Sequence, residues 1–387
     1  MSNKILSSKP RMYYIDNIRT YLTVLVILHH VAVGYGGSGG WPIKEQPTDA
    51  VSPIIFLLFN ALNQSYFMSF FFILAGYFTP RSLERKGGTL FIKDRLIRLG
   101  IPLFLYVLIL APVTSWLVTN YAHNMDVSFS EILRDVWSVT SLQTISFGHL
   151  WFLEALLIFA LIYVAYTNVS GREKQGSPIN LYPNSFPANR AIVLSIGVLS
   201  VVTFLVRIGY PIGVWVFSLS PSHMTHYVFS FIVGILAYRG DWFNRLQKDQ
   251  AKLWGKIALM NTLALPILFV LGVSGGASED IFMGGVSWQA FMTATWESIS
   301  FLSISIWLLD LFKYRFNYVN KVLSWMAPNV FATYIFHQVI IVAIMIPLLG
   351  VTWPSALKFI VVSIIGVPLC FLVSSLIRKV PYVDRFI

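Results

Sequence analysis

Charge is what this chain has least of. Of its 387 residues only 12% are Asp, Glu, Lys or Arg, about half the share of an ordinary soluble protein. Too few polar groups remain to coat a soluble enzyme, and the same deficit excludes a disordered chain. Cysteine is nearly missing. Cys370 stands alone, so no internal disulfide framework and no thiolate metal cluster can form. No polar stretch is long enough for a soluble domain of its own. What remains is apolar: 56% of residues are hydrophobic, the mean hydropathy is +0.68, and apolar runs recur from end to end. Runs of about 20 apolar residues are the mark of membrane-spanning helices. The expectation is an all-α integral membrane protein, a single polytopic domain over 1–387. The N-terminus lacks a short apolar core ending in a small-residue cleavage site, so the first span is expected to be its own insertion signal.

The hydropathy pattern predicts about ten spans: 18–34, 54–78, 99–119, 149–167, 191–207, 223–238, 257–273, 288–309, 322–346 and 355–377. With the N-terminus in the cytoplasm, the inner segments carry 24 of the 28 Lys and Arg residues. The outer side keeps Lys44, Arg134, Arg207 and Lys358. That bias fits the positive-inside rule and predicts that both termini are cytoplasmic. It also accounts for the net charge of +11 without nucleic acid.

Ionisable groups at bilayer depth are costly and mark function by default. Five are expected there: His29, His30, Glu154, Glu297 and His337. For Glu154 and Glu297, a structural ion pair and a catalytic role both remain open. Asn60, Asn63 and Gln64 form a polar stripe at i, i+3 and i+4, suited either to interhelical hydrogen bonds or to a ligand. Arg19 and His30 are eleven residues apart, which returns a helix to within roughly 20° of the same face over about 16 Å. A fixed cation at the cytoplasmic interface thus shares a face with a deep imidazole, at a separation matching an extended pantetheine arm. A nucleotide-phosphate carrier anchored near Arg19, Arg95 and Arg98 would reach the histidine with its thioester. The competing account of those arginines is topology and attraction to anionic lipid.

Other motifs fail on context. Gly272-Val273-Ser274-Gly275-Gly276 matches a nucleophile elbow, but no strand precedes it. The glycines at 36–40 lack the ending of a phosphate loop. His223 and His226 have no neighbouring carboxylate or thiol in sequence, so no metal site is expected.

Several motifs in order resemble the membrane acyltransferase-3 family, and most of all its branch of periplasmic-glucan succinyltransferases. They are Arg19 followed by His30; Phe70-Phe71-Phe72-Ile73-Leu74-Ala75-Gly76-Tyr77-Phe78; Arg95-Leu96-Ile97-Arg98 before Pro102; Gly148-His149-Leu150-Trp151-Phe152-Leu153; and Tyr334-Ile335-Phe336-His337. The resemblance covers nearly the whole chain. It implies transfer of an acyl group of the acetyl or succinyl class from cytoplasmic acyl-CoA to a hydroxyl of an extracytoplasmic glycan. On that reading His30 is the essential histidine, acting as general base or carrying the acyl group. Arg19, Glu154 and His337 complete the catalytic group. Arg19, Arg95 and Arg98 bind the CoA phosphates. His149, Trp151 and Asn63 meet the acceptor, with Trp41 a second candidate for stacking on sugar. No permanently bound cofactor is required; the partners are membrane lipid, acyl-CoA and the glycan, and the site of action is the cytoplasmic membrane. Without the resemblance, a transporter or flippase for a glycan or lipid-linked sugar fits the spans equally well.

Overall fold

A backbone inside a bilayer finds no water, so each apolar run must satisfy its own N–H and C=O groups, and a helix does so within one segment. The structure, a computed structural model, describes residues 12–138, 146–170, 185–274 and 278–387. Its helices are α1 (Tyr13–Gly34), α2 (Ser52–Lys86), α3 (Gly88–Ala122), α4 (Phe129–Trp137), α5 (Gly148–Ser170), α6 (Asn189–Gly209), α7 (Pro221–Arg239), α8 (Lys248–Val273), α9 (Trp288–Arg315), α10 (Lys321–Leu348) and α11 (Ser355–Ile377). No extended strand occurs among the described residues. Lys4, Lys9, Arg11, Arg172, Lys174, the Gly176 turn and Gly275-Gly276 lie outside them.

Eight of these helices are long and apolar enough to cross a membrane: all except α1, α4 and α7. The helices at the first and sixth expected spans, α1 and α7, are 22 and 19 residues long. They are less apolar because they carry the polar groups of interest, among them Arg19, His29 and His30 in α1 and His223 and His226 in α7. The short α4 was not expected. It starts at a capping box, with Ser128 bound to the Glu131 backbone and Glu131 reaching back to Ser128.

The helix that carries His29 and His30 is closely enclosed. α1 packs against α2, α9, α10 and α11, so its imidazoles are shielded from lipid. The α9 core is 72% buried, whereas that of α8 is only 11% buried. α8 turns Leu259, Leu263, Ile267 and Val270 outward, a face that acyl chains would cover. α2 and α7 cross backbone to backbone. A Cβ on Gly76 would strike the Phe231 carbonyl, and one on Gly234 would strike the Ile73 carbonyl. Close helix approach through small residues is how spans associate when lipid supplies no hydrophobic drive.

Helix α3 is interrupted by three π turns: Leu96–Gly100, Tyr106–Leu110 and Val118–Ala122. Ile101 donates its N–H to Leu96 and Ala111 to Tyr106, five residues back. Pro102 and Pro112 come directly after. Proline brings no N–H for the carbonyl four residues back and pushes that carbonyl aside. The preceding turn widens by one residue.

Two of the four cations expected outside turn out to be internal. Arg207 and Lys358 are 0% and 1% exposed and pair with Glu297 at 2.6 Å and Glu45 at 2.5 Å. They are therefore not free outer charges in the sense of the topology rule. Glu297 takes the structural of its two open roles. Breaking one partner of such a pair strands a buried charge. Arg207→Ala is expected to lose about 3–5 kcal/mol of stability, while R207M/E297M stays near the parent. Thermal unfolding in detergent reads both.

Candidate active site

The site is built where α1, α5 and α10 meet. α1 presents His30 eleven residues after Arg19. α10 presents Tyr334, His337 and Gln338 at i, i+3 and i+4, hence on one face. His149 sits in a 3-10 turn at the start of α5. That turn needs Gly148, whose φ is +48° and whose Cα lies against the Tyr106 hydroxyl. Tyr334 donates its hydroxyl hydrogen to the His149 carbonyl, tying α10 to α5.

The hydrogen bonds set the direction of the histidine pair. His337 Nδ1 lies 2.8 Å from the Tyr334 carbonyl. A carbonyl only accepts, so Nδ1 carries the hydrogen, and in a neutral ring Nε2 is the acceptor. His30 Nδ1 lies 2.9 Å from that Nε2, so His30 donates to it. Neutral His30 is left with an unprotonated Nε2, the form a general base needs. His337 thereby fixes the orientation of the His30 ring. His149 flanks it edge-on, with ring centres 4.7 Å apart. His149 Nε2 donates to the Ile335 carbonyl at 3.0 Å, and its Nδ1 is 3.0 Å from the Gln338 amide. Gln338 also bonds the Tyr106 hydroxyl at 3.2 Å. A neutral His149 requires the Gln338 amide nitrogen to face it, and in that orientation one NH₂ serves both His149 and Tyr106.

The segment 35–51 closes one end of the bundle and is held at several points. Glu45 pairs with Lys358. Thr48 donates to the Trp353 carbonyl at 2.9 Å. Asn60 donates to the Ser38 carbonyl at 3.2 Å. Asp49 accepts from the Ser52 backbone at 2.7 Å and from the Ser355 backbone at 3.1 Å. These bonds, that to the Ser52 backbone first, hold the Asp49 carboxyl below the usual range. The segment thereby presses Trp41 onto His30, with ring centres 4.5 Å apart and planes 16° from parallel. An indole face stabilises an imidazolium as it forms. The Trp41 indole N–H is buried and has no acceptor among the described residues.

The remaining candidates are spread more widely. Glu154 faces the Ser218 hydroxyl, on the loop between α6 and α7. Trp151 stacks on Tyr227 at 5.2 Å. Asn63 is buried with its amide nitrogen unpartnered. Its stripe neighbours make structural bonds, Asn60 to the 35–51 segment and Gln64 to Tyr227. His29 packs on Phe67 at 5.1 Å and lies edge-on to the His30 ring at 5.7 Å, without a hydrogen bond to either histidine of the pair. Arg19 lies over Phe78 at 4.7 Å, beside Asp16. Arg95 lies over Phe91 at 4.8 Å, and Arg98 is 3.3 Å from Asp94. Arg19, Arg95 and Arg98 occupy the end of the bundle opposite the 35–51 segment. Gln338 and Tyr106 were not foreseen. Gln338 had a signal, its i+4 spacing from Tyr334; Tyr106 had none.

The fold and these residues define a multi-pass α-helical membrane protein organised around a buried imidazole relay. The model of the acyltransferase domain family (acyltransferase-3) matches residues 12–375, and the chain belongs to that family. Among curated relatives it is similar to the glucans biosynthesis protein C of Salmonella schwarzengrund (strain CVM19633), 26% identical over 228 residues. It is similar also to the protein of that name from Escherichia coli (strain K12 / DH10B), 28% identical over 225 residues. Each match takes in 58% of this chain and 54% of the relative, so the chain spans about half the length of those proteins. No solved structure matches.

Proposed function

We propose that this protein is an acyl-CoA-dependent O-acyltransferase of the cytoplasmic membrane, with a carbohydrate hydroxyl as acceptor. The observation that carries the reading is the His30–His337 hydrogen bond with its fixed direction, which leaves His30 Nε2 free to take a proton. The glucan named in the relatives suggests the acceptor class.

The chemistry balances on one imidazole. His30 Nε2 takes the proton of the acceptor hydroxyl as its oxygen attacks the thioester carbonyl. The tetrahedral intermediate collapses, the C–S bond breaks, and the imidazolium returns the proton to the CoA sulfur. His337 and Trp41 support the positive charge carried between these steps. Arg19, Arg95 and Arg98 hold the CoA phosphates at the other end of α1, and the distance from Arg19 to His30, about 16 Å along the helix, is spanned by the pantetheine arm.

Inside-out membrane vesicles given labelled acyl-CoA and a glucan acceptor test the reading. Acyl ester is expected with the parent protein and not with His30→Ala. Glycan that crosses unmodified at equal rates in both would favour transport instead. Removing a phosphate contact weakens ground-state and transition-state binding together. Arg19→Gln and Arg98→Gln are therefore each expected to raise KM for acyl-CoA about tenfold, the worth of about 1.4 kcal/mol, with kcat little changed. Initial rates against acyl-CoA concentration separate the two constants.

A further inference from the structure

Beside the histidine relay lies a cavity of about 340 Å³ between α3 and α10, within the span of about 300–1,000 Å³ typical of small-molecule sites. It opens at the end of the bundle covered by the 35–51 segment. Its polar lining is Tyr106, Thr114, Ser115, Thr119, His123 and Gln338. Ser115 and Thr119 stand near the end of α3 and His123 directly follows it. The π turns matter here. Tyr106 opens the second and Thr119 lies in the third. Each extra residue rotates the rest of the helix by about 100°. Wide turns of this kind occur often at functional sites.

The chemistry of the lining is selective. It offers hydroxyls, a phenol, an amide and an imidazole, all able to exchange hydrogen bonds. Among the described residues that line it, none is Asp, Glu, Lys or Arg. Thr114 already gives its hydrogen to the Leu110 carbonyl at 2.7 Å, so its oxygen is left to accept. A ligand with a fixed charge would meet no permanently charged counter-ion, while a neutral polyol would meet matched donors and acceptors. Two of the lining residues are next neighbours of the relay, whose histidines do not themselves line the cavity. Gln338 bonds His149, which packs edge-on to His337. Pro42, on the cavity wall, directly follows the Trp41 that covers His30.

We infer that this cavity is the acceptor subsite and seats a neutral, polyhydroxylated sugar residue beside the His30–His337 pair. The assignment rests on the acyl-transfer reading for the reaction, but not for binding. The test therefore measures binding first, with His30→Ala protein in nanodiscs, so that no turnover intervenes. The probes are laminaripentaose, which is neutral, and a galacturonate pentamer, which is acidic. Calorimetric titration is expected to show binding of the first and not of the second. Thr119→Trp, which fills the cavity, is expected to weaken laminaripentaose binding at least tenfold. The conservative double variant S115A/T119V should weaken it by a smaller factor with the fold intact. In the His30 protein the same variants are expected to raise KM for the oligosaccharide and leave KM for acyl-CoA unchanged. Unchanged binding in both variants, or equal binding of the acidic pentamer, overturns the assignment even if His30→Ala abolishes transfer. Binding lost in Thr119→Trp by a protein that transfers no acyl group upholds the cavity and removes the acyltransferase reading instead.

Discussion

His30→Ala is expected to lower kcat for acyl transfer by about 10²–10⁴-fold, the usual worth of a positioned general base. The loss should fall on kcat rather than on either KM, because a general base acts on the proton in flight and not on binding. Folding should survive, since His30 hangs on the acceptor nitrogen of His337 and leaves no new buried charge. His29→Phe is the matched control. His29 Nδ1 is buried without a partner and its ring packs on Phe67, so phenylalanine keeps the packing and removes an unsatisfied group. Activity close to the parent in His29→Phe, beside the loss in His30→Ala, would separate two adjacent imidazoles that sequence alone barely distinguishes. Equal losses in both would sink the assignment.

The second large effect is expected from His337→Phe. Phenylalanine fills the space but accepts nothing, so His30 loses the partner that fixes its ring and its tautomer. Supporting groups of this kind are worth about 10–100-fold. Both KM values should hold while kcat falls. His337→Gln restores an oxygen acceptor near the same place and should recover part of the rate. Purified protein assayed under saturating donor and acceptor reads the series directly. If the glutamine variant is no better than phenylalanine while both remain folded, the hydrogen bond is not what His337 supplies.

Much of the architecture was legible because its cause is local. A bilayer demands about 20 apolar residues per span, and that demand shows as runs that need no tertiary information. Span ends were harder. α2 runs eight residues past the expected Phe78, to Lys86, because a helix continues into the polar zone wherever side chains and water permit. The polar-rich α1 and α7 show the limit of hydropathy: burial against other helices, not lipid, is what makes their polar groups tolerable. Arg207 and Lys358 read as outer loop charges because ion pairing is a property of space. Their partners stand 90 and 313 residues away.

The sequence by itself determined the class: an all-helical membrane chain, a deep histidine in register with an arginine, and a second histidine on a late span. These come from composition and helical period. Only the tertiary structure decided that the two imidazoles meet, which nitrogen donates, that Trp41 stacks on His30, and that α3 and α10 leave a polar cavity between them. Those depend on contacts between helices far apart in the chain, and hydrogen-bond direction exists only once both partners have a place.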